Sequence, residues 1–238
     1  MDANLKAFQV GRWAALNPGK ASESSKSNVI SKYLSLKDKI DLRAGHLVDY
    51  QSQKLADRYR SLVGLIEDET LKEAVAKGYH KLLAYKDEYE VARLLSESRN
   101  KAEDAFEGDL KLTFNLAPPL ISKIGPDGRP KKRAFGPWIE KAFPKLARLK
   151  WLRGTPFDPF GYTAERRSER RLIREYERDI KAILKTPPAN IEAAIALAEL
   201  PLSIRGFGPV KLSAMNDAAE RRKTLKNELQ KKPVQSAA

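Results

Sequence analysis

The side chains with the most chemical potential concentrate in one stretch, Arg148 to Arg167, which reads RLKWLRGTPFDPFGYTAERR. Its centre, Phe157-Asp158-Pro159-Phe160-Gly161-Tyr162, lies between two basic segments that contribute Arg153, Arg166 and Arg167. Guanidinium forks suit bidentate contacts with carboxylates and phosphates, so the chemistry on offer is anion recognition. The same loop reads equally as a plug for a helical core. On that reading Phe157, Phe160 and Tyr162 turn inward, while Arg153, Arg166 and Arg167 point outward at a ligand or partner. A second special loop, Ser203-Ile204-Arg205-Gly206-Phe207-Gly208-Pro209, precedes Lys211. It starts as a dinucleotide fingerprint does, but Lys211 occupies the third glycine position and no strand precedes it, which removes that reading. A glycine hairpin opening a helix can present backbone N–H groups to a nucleic-acid phosphate. It can also be a tight interhelix turn that needs glycine only for backbone freedom.

The residues expected to contact an anion, ligand or partner are therefore Arg153, Tyr162, Arg166, Arg167, Arg205 and Lys211. No catalytic residue and no metal ligand is expected. His46 and His80 fall at core positions of separate helical stripes without an H-x-x-x-H spacing, so they read as structural. Tyr85-Lys86-Asp87-Glu88 is a polar cluster that the solvent face of a helix explains. No nucleophile elbow, Walker loop or H-E-x-x-H occurs, so the chain carries no self-sufficient catalytic set.

The elements that position these residues read as mainly α: a multi-helix bundle with a small β-hairpin insertion around residues 110–135. Residues 1–17 form an amphipathic helix rather than a targeting segment, and residues 18–30, small and polar, a linker. Residues 31–108 make a helical hairpin. One stripe runs from Leu36 to Ile66 and a second from Leu71 to Ala92, turning at Glu67-Asp68-Glu69-Thr70. Residues 109–232 add the β-hairpin and a basic helical region, packed with 31–108 as one domain. There Leu110, Leu112 and Phe114 alternate with polar residues as a strand does. A hairpin is expected between Leu120–Ile124 and Arg129–Phe135 across Gly125-Pro126-Asp127-Gly128. Helices follow over 137–151, from an N-cap at Thr163 to Lys185, from Pro187-Pro188 to Leu200, and over 210–229. Pairs Arg171–Glu175 and Glu177–Lys181 support the long one.

Charge and composition bound the function. The net charge is +14. Residues 123–153 hold ten Lys or Arg against two acids, whereas residues 66–109 hold twelve acids against seven bases. Such asymmetry points to an anionic partner. No cysteine is present, which excludes disulfides, thiolate zinc sites and an iron–sulfur cluster held by this chain alone. It also fits a cytoplasmic protein. No apolar run is long enough to span a membrane.

Five ordered segments carry a family resemblance: GYHKLLAYKDEYEVARLL (78–95), LKLTFNLAPPLIS (110–122), GRPKKRAFGPW (128–138), LRGTPFDPFGYTAERR (152–167) and LAELPLSIRGFGPVK (197–211). With NLKAFQVGRWAA (4–15), they resemble the C-terminal region of the fused bacterial indolepyruvate ferredoxin oxidoreductases, a domain of undefined individual role. The resemblance implies a parent reaction in which a 2-oxo acid is decarboxylated on thiamine diphosphate. Electrons then pass through iron–sulfur clusters to ferredoxin and the acyl group leaves on coenzyme A. It also implies that those cofactors belong to parts N-terminal to this region, so this chain is expected to hold none of them. Its expected partners are the thiamine- and cluster-binding domains or subunits, and ferredoxin. The alternative from the residues alone is a nucleic-acid-binding module using the basic surface and the Gly206–Pro209 hairpin.

Overall fold

Capping side chains divide the expected long helices into shorter ones. The structure, a computed structural model, describes residues 12, 13, 15, 16, 34–106, 108, 110–117, 122, 125, 131–206 and 208–231. The chain falls into two compact units, residues 1–43 and 44–238. In the first, residues 12, 13, 15 and 16 are helical. The remainder of the expected N-terminal helix and the expected linker at 18–30 lie outside the described residues. Helix α1 (Leu36–Tyr50) begins beside Ser35, whose hydroxyl accepts from the Asp38 amide at 3.1 Å while Asp38 accepts from the Ser35 amide at 3.2 Å. This reciprocal cap satisfies two first-turn donors.

Helix α2 (Gln53–Gly64) restarts after Ser52, which is extended and accepts from the Leu55 amide. The expected helix over 31–67 is thus two helices, because Ser52 offers the backbone a cap in place of another helical turn. The next stripe divides likewise. Asp68 caps α3 (Glu69–Leu83) through the Leu71 amide at 2.7 Å, and Asp87 caps α4 (Glu88–Ser96) through the Glu90 amide at 2.9 Å. Residues 85–88 therefore form a corner between helices, not the solvent face of one. Helix α5 (Ser98–Ala105) follows.

The strand signal at 110–115 condenses to β1 (Phe114–Leu116), antiparallel to β2 (Arg133–Phe135), with Phe114 opposite Phe135 and Leu116 opposite Arg133. The ladder thus closes upstream of the Leu120–Ile124 segment expected to form it. The expected turn residues Pro126, Asp127 and Gly128 lie outside the described residues. Phe114 packs with Phe143 and Ala92 in a cluster that also takes Leu95, Phe135 and Ile139. Residues 137–152 form a 3-10 turn (Pro137–Ala142), α6 (Phe143–Arg148) and another 3-10 turn (Leu149–Leu152) instead of one helix. Pro144 has no N–H to continue the ladder from the preceding turn, so the helix restarts there.

Helix α7 (Ala164–Lys185) opens on the Thr163 hydroxyl, which accepts from the Arg166 amide at 3.3 Å. Its later turns bury Ile173, Tyr176, Ile180 and Ile183. Helix α8 (Ile191–Glu199) is capped by Asn190 rather than opened by Pro187-Pro188. A 3-10 turn (Leu200–Ser203) leads to α9 (Pro209–Glu228), which has Pro209 in its first turn.

The main core is aromatic. The Tyr59 and Tyr79 rings stack at 6.0 Å, and Tyr79 and Tyr176 at 5.8 Å. Helices α3 and α8 touch at Gly78, where a Cβ would lie 2.1 Å from the Ala198 carbonyl oxygen. Tyr176 donates to that carbonyl at 2.9 Å. Helix α9 buries only Ala218 and Leu225. It is attached mainly by polar contacts: Arg222 forks onto Asp179 of α7, Lys226 reaches the same carboxylate at 3.1 Å, and the Leu229 carbonyl accepts from the Asn190 amide at 3.1 Å.

Candidate anion- and partner-binding surface

The corner at Asp87 and the loop at 153–162 meet, and their charges neutralise each other. Arg153 is 5% exposed. Its Nε and Nη2 donate to Asp87 at 2.5 and 2.8 Å, its Nη1 donates to the Tyr50 carbonyl at 2.7 Å, and its guanidinium lies 3.6 Å above the Tyr50 ring. Burial works against this charge, but Asp87 outweighs it and holds the guanidinium more firmly protonated than usual. Lys150, three residues earlier, donates to the Val48 and Asp49 carbonyls at 3.1 and 2.6 Å. It thereby satisfies acceptors left over at the end of α1.

Asp158, also buried, organises the loop. It accepts from the Tyr89 hydroxyl at 3.0 Å and from the Gly154 and Phe160 amides at 3.0 and 3.1 Å. Gly154 sits at φ +77, a conformation other residues rarely adopt. Phe160 packs edge-on against Tyr89 at 5.4 Å. Phe157 and Tyr162, expected in the core, are instead 80% and 65% exposed. A carboxylate, not an aromatic plug, fills the loop, because the loop's inward amides need an acceptor that a ring cannot supply.

Arg166 is likewise turned inward. It pairs with Glu169 at 2.5 Å and Glu88 at 3.5 Å, and lies 5.4 Å over the Tyr85 ring. Burial pushes the Glu88 carboxyl up despite the Arg166 charge, and its Oε2 is buried without a hydrogen-bond partner. Burial and the Asp87 charge push the Tyr85 hydroxyl up to about 12. Lys211 bonds Glu169 and reaches Glu165 at 3.4 Å, so Glu169 joins the first turns of α7 and α9. Arg205 is exposed and donates to the Leu202 carbonyl at 3.2 Å. Lys81 lies near Arg205 and Lys211, and burial together with those two charges lowers its pKa. Arg167 is exposed.

Of the six residues singled out from the sequence, Arg153, Arg166 and Lys211 therefore bind acids of this chain. The outward aim expected for Arg153 and Arg166 is corrected by their burial. Tyr162, Arg167 and Arg205 face solvent, with Tyr162 donating to the Pro156 carbonyl at 2.6 Å. The partners that sequence reasoning missed are Asp87, Asp158 and Glu169. The only signal for Asp87 was the polar run at 85–88. His46 and His80 do meet, with Nδ1 and Nε2 3.0 Å apart. Among the described residues, no group of three His, Asp or Glu side chains could hold a metal ion. The apolar pocket walled by Leu82, Leu172, Leu197 and Ile204 has room for about 50 Å³. That fits a few waters and falls well short of the ~300 Å³ of a small-molecule site.

Residues 36–224 match the model of a family of unknown function, DUF6537. The chain belongs to this family. No curated protein and no solved structure matches it. The DUF6537 span runs from α1 into α9 and contains the whole network just described. The Asp87–Arg153, Tyr89–Asp158 and Arg166–Glu169–Lys211 contacts are thus internal features of the family region. No helix among the described residues is long and apolar enough to cross a membrane.

Proposed function

We propose that this DUF6537 chain is an accessory domain or subunit of a cytoplasmic, thiamine-dependent 2-oxo acid oxidoreductase of the indolepyruvate ferredoxin type. It docks on the parts that hold the cofactors. The observation that carries the reading is the ordered set of five segments, supported by where three of them fall. Segment 78–95 supplies Asp87, Glu88 and Tyr89; segment 152–167 supplies Arg153, Asp158 and Arg166; segment 197–211 supplies Lys211. Residues of the segments that carry the resemblance thus build one scaffold rather than one pocket, as suits a domain that positions others. The donor set does not fit the parent's iron–sulfur cluster, because the chain has no thiolate. Among the described residues there is also no cluster of three or more His, Asp or Glu side chains of the kind that holds a divalent cation. No reaction step is assigned to this chain; of the six residues singled out from the sequence, Arg167 and Arg205 are the exposed cations offered to an anionic group of the parent.

The test is co-elution of the purified chain with the separately expressed remainder of such an enzyme, with oxo-acid-dependent reduction of ferredoxin assayed with and without it. Complex formation with raised activity supports the proposal. No complex and unchanged activity overturns it.

A second reading, a nucleic-acid-binding module, rests on the +14 charge and on Gly206 and Gly208 at φ +90 and +56 before α9. It ranks below the first because Lys211, the hairpin's own cation, is bound to Glu165 and Glu169. Salt-dependent shifts of duplex or single-stranded probes would favour it. The absence of any shift at low salt would remove it.

A further inference from the structure

Along α7, Arg167, Arg171, Arg174, Arg178, Lys181 and Lys185 recur at steps of four, three, four, three and four residues. That alternation keeps side chains on one face of a helix, and all six are exposed. At 1.5 Å per residue the stripe is about 27 Å long. Among the described residues only Arg171 of these has an ion-pair partner, Glu175 at 3.9 Å. The other acids of α7 are drawn to different partners. Glu169 serves Arg166 and Lys211, Asp179 serves Arg222 and Lys226, and Glu177 serves Arg58 at 2.8 Å and the Tyr79 hydroxyl. The expected Glu177–Lys181 pair is not made, because Arg58 and Tyr79 take its carboxylate. The outer face of α7 therefore carries an excess of positive charge, six bases against Glu175 beside Arg171 and Glu177 within electrostatic reach of Lys181.

Beside the stripe runs a groove lined by Ser61, Leu65 and Tyr79 and edged by Arg58, Glu177 and Lys181. Leu65 is 60% exposed there.

We infer that the outer face of α7 and the Leu65 groove form a docking surface for an acidic amphipathic helix of a partner protein. The helix would set carboxylates on Arg171, Arg174, Arg178 and Lys181 and one large apolar side chain in the groove. This deepens the accessory-subunit reading and rests on it for the partner's source, the thiamine- or cluster-binding part of the parent. Three observations favour a protein over a nucleic acid. Glu175 and Glu177 line the same strip as the bases, so partner anions must fall on the bases and skip the acids, which carboxylates spaced three and four apart on a helix can do and an evenly charged row of phosphates cannot. The stripe has no aromatic side chain on which a base could stack. An exposed leucine rimmed by arginine has the anatomy of a protein interface, with an apolar centre and a charged margin. The straight run of the stripe matches the length of a five-turn helix.

The full chain is tested against three labelled probes: the separately expressed remainder of the parent enzyme, a synthetic helix with Glu at alternating three- and four-residue spacing and one Leu, and a random-sequence DNA duplex. Arg171, Arg174, Arg178 and Lys181 are all changed to Glu. Lys131, Lys132 and Arg133, exposed elsewhere, are changed to Glu as a control. Far-ultraviolet circular dichroism confirms that both variants fold. A milder Arg174→Gln, Arg178→Gln variant covers the case in which reversal disturbs α7. The stripe variant should lose at least about tenfold in affinity for the remainder and for the acidic helix, the milder variant several-fold, and the control less than about twofold. Raising salt from about 50 to 300 mM should weaken wild-type binding in the same direction.

Unchanged affinity of the stripe variant for the remainder overturns the inference and leaves the accessory-subunit reading standing. Loss of acidic-helix binding in the stripe variant, with no binding of the remainder by wild type, supports the surface and overturns the parent reading. Tighter binding of the duplex than of the acidic helix, abolished in the stripe variant, overturns the choice of a protein partner.

Discussion

Replacing Arg153 tests whether the loop it belongs to is a ligand site or a lock. Its guanidinium is bonded through three nitrogens to Asp87 and the Tyr50 carbonyl and is covered by the Tyr50 ring. Removing one partner of a buried pair costs about 3–5 kcal/mol, because the other charge stays buried and uncompensated. For a domain of this size each kcal/mol lowers Tm by roughly 2–4 °C, so Arg153→Ala should melt about 6–20 °C below wild type. Thermal unfolding followed by circular dichroism measures this directly. A double-mutant cycle separates charge from packing. Asp87→Asn keeps an oxygen for the Glu90 amide, hence the α4 cap, and Arg153→Met keeps most of the side-chain volume. The single changes should couple by about 1.5 kcal/mol or more, with the double variant more stable than the sum predicts. A Tm for Arg153→Ala within about 2 °C of wild type, or a coupling below ~0.5 kcal/mol, would refute the reasoning and return Arg153 to the pool of ligand-binding residues.

Three further expectations concern stability. Burial opposes the Glu177 charge, but hydrogen bonds from Arg58 and Tyr79 outweigh it and hold the carboxyl below its ordinary range. Its stabilising contribution is therefore complete above the unfolded value of about 4.3 and drains as pH falls through the lowered folded value. Glu177→Gln should accordingly melt below wild type at neutral pH and converge with it as pH falls through the lowered folded value; a deficit that persists once the carboxyl is protonated would contradict this. Gly78→Ala forces a methyl group against the Ala198 carbonyl and should cost about 1–3 kcal/mol or more, seen as a lower urea midpoint with unchanged slope. Phe157→Ala, by contrast, should stay within about 0.5 kcal/mol of wild type, as surface changes do. A large loss there would restore the core-plug reading.

The helical class, the small antiparallel insertion and the long helix from Thr163 were legible because periodicity and a single cap determine them. The breaks at Ser52 and Asp87 were harder. Both residues favour caps through local bonds to the Leu55 and Glu90 amides, but they sit inside stripes whose apolar periodicity continues across them, so the period masked the breaks. The site was misread for a related reason. Arginines declare themselves in sequence, but the carboxylates that neutralise them, Asp87 for Arg153 and Glu169 for Arg166, lie far away or three residues along and carry no distinguishing neighbourhood. The α7 stripe was hidden inside apparent i,i+4 pairs. Those pairs presuppose that Glu177 stays on its own helix surface, whereas tertiary packing hands it to Arg58 and Tyr79.

Helix α9 brings little apolar area to the fold and is fastened by Lys211 at its start, Arg222 and Lys226 along its length, and Leu229 at its end. An element held by ionic clasps rather than a buried stripe has its own opening equilibrium, separate from global unfolding. Its amides should therefore exchange with deuterium sooner than those of the tyrosine-cored α3 and α7. Added salt should widen that gap, because screening weakens the partly exposed clasps and leaves the aromatic stack untouched. Earlier exchange confined to α9 would mean that this helix loosens and re-seats without global melting, so that the order in which the protein comes apart is set by its charges.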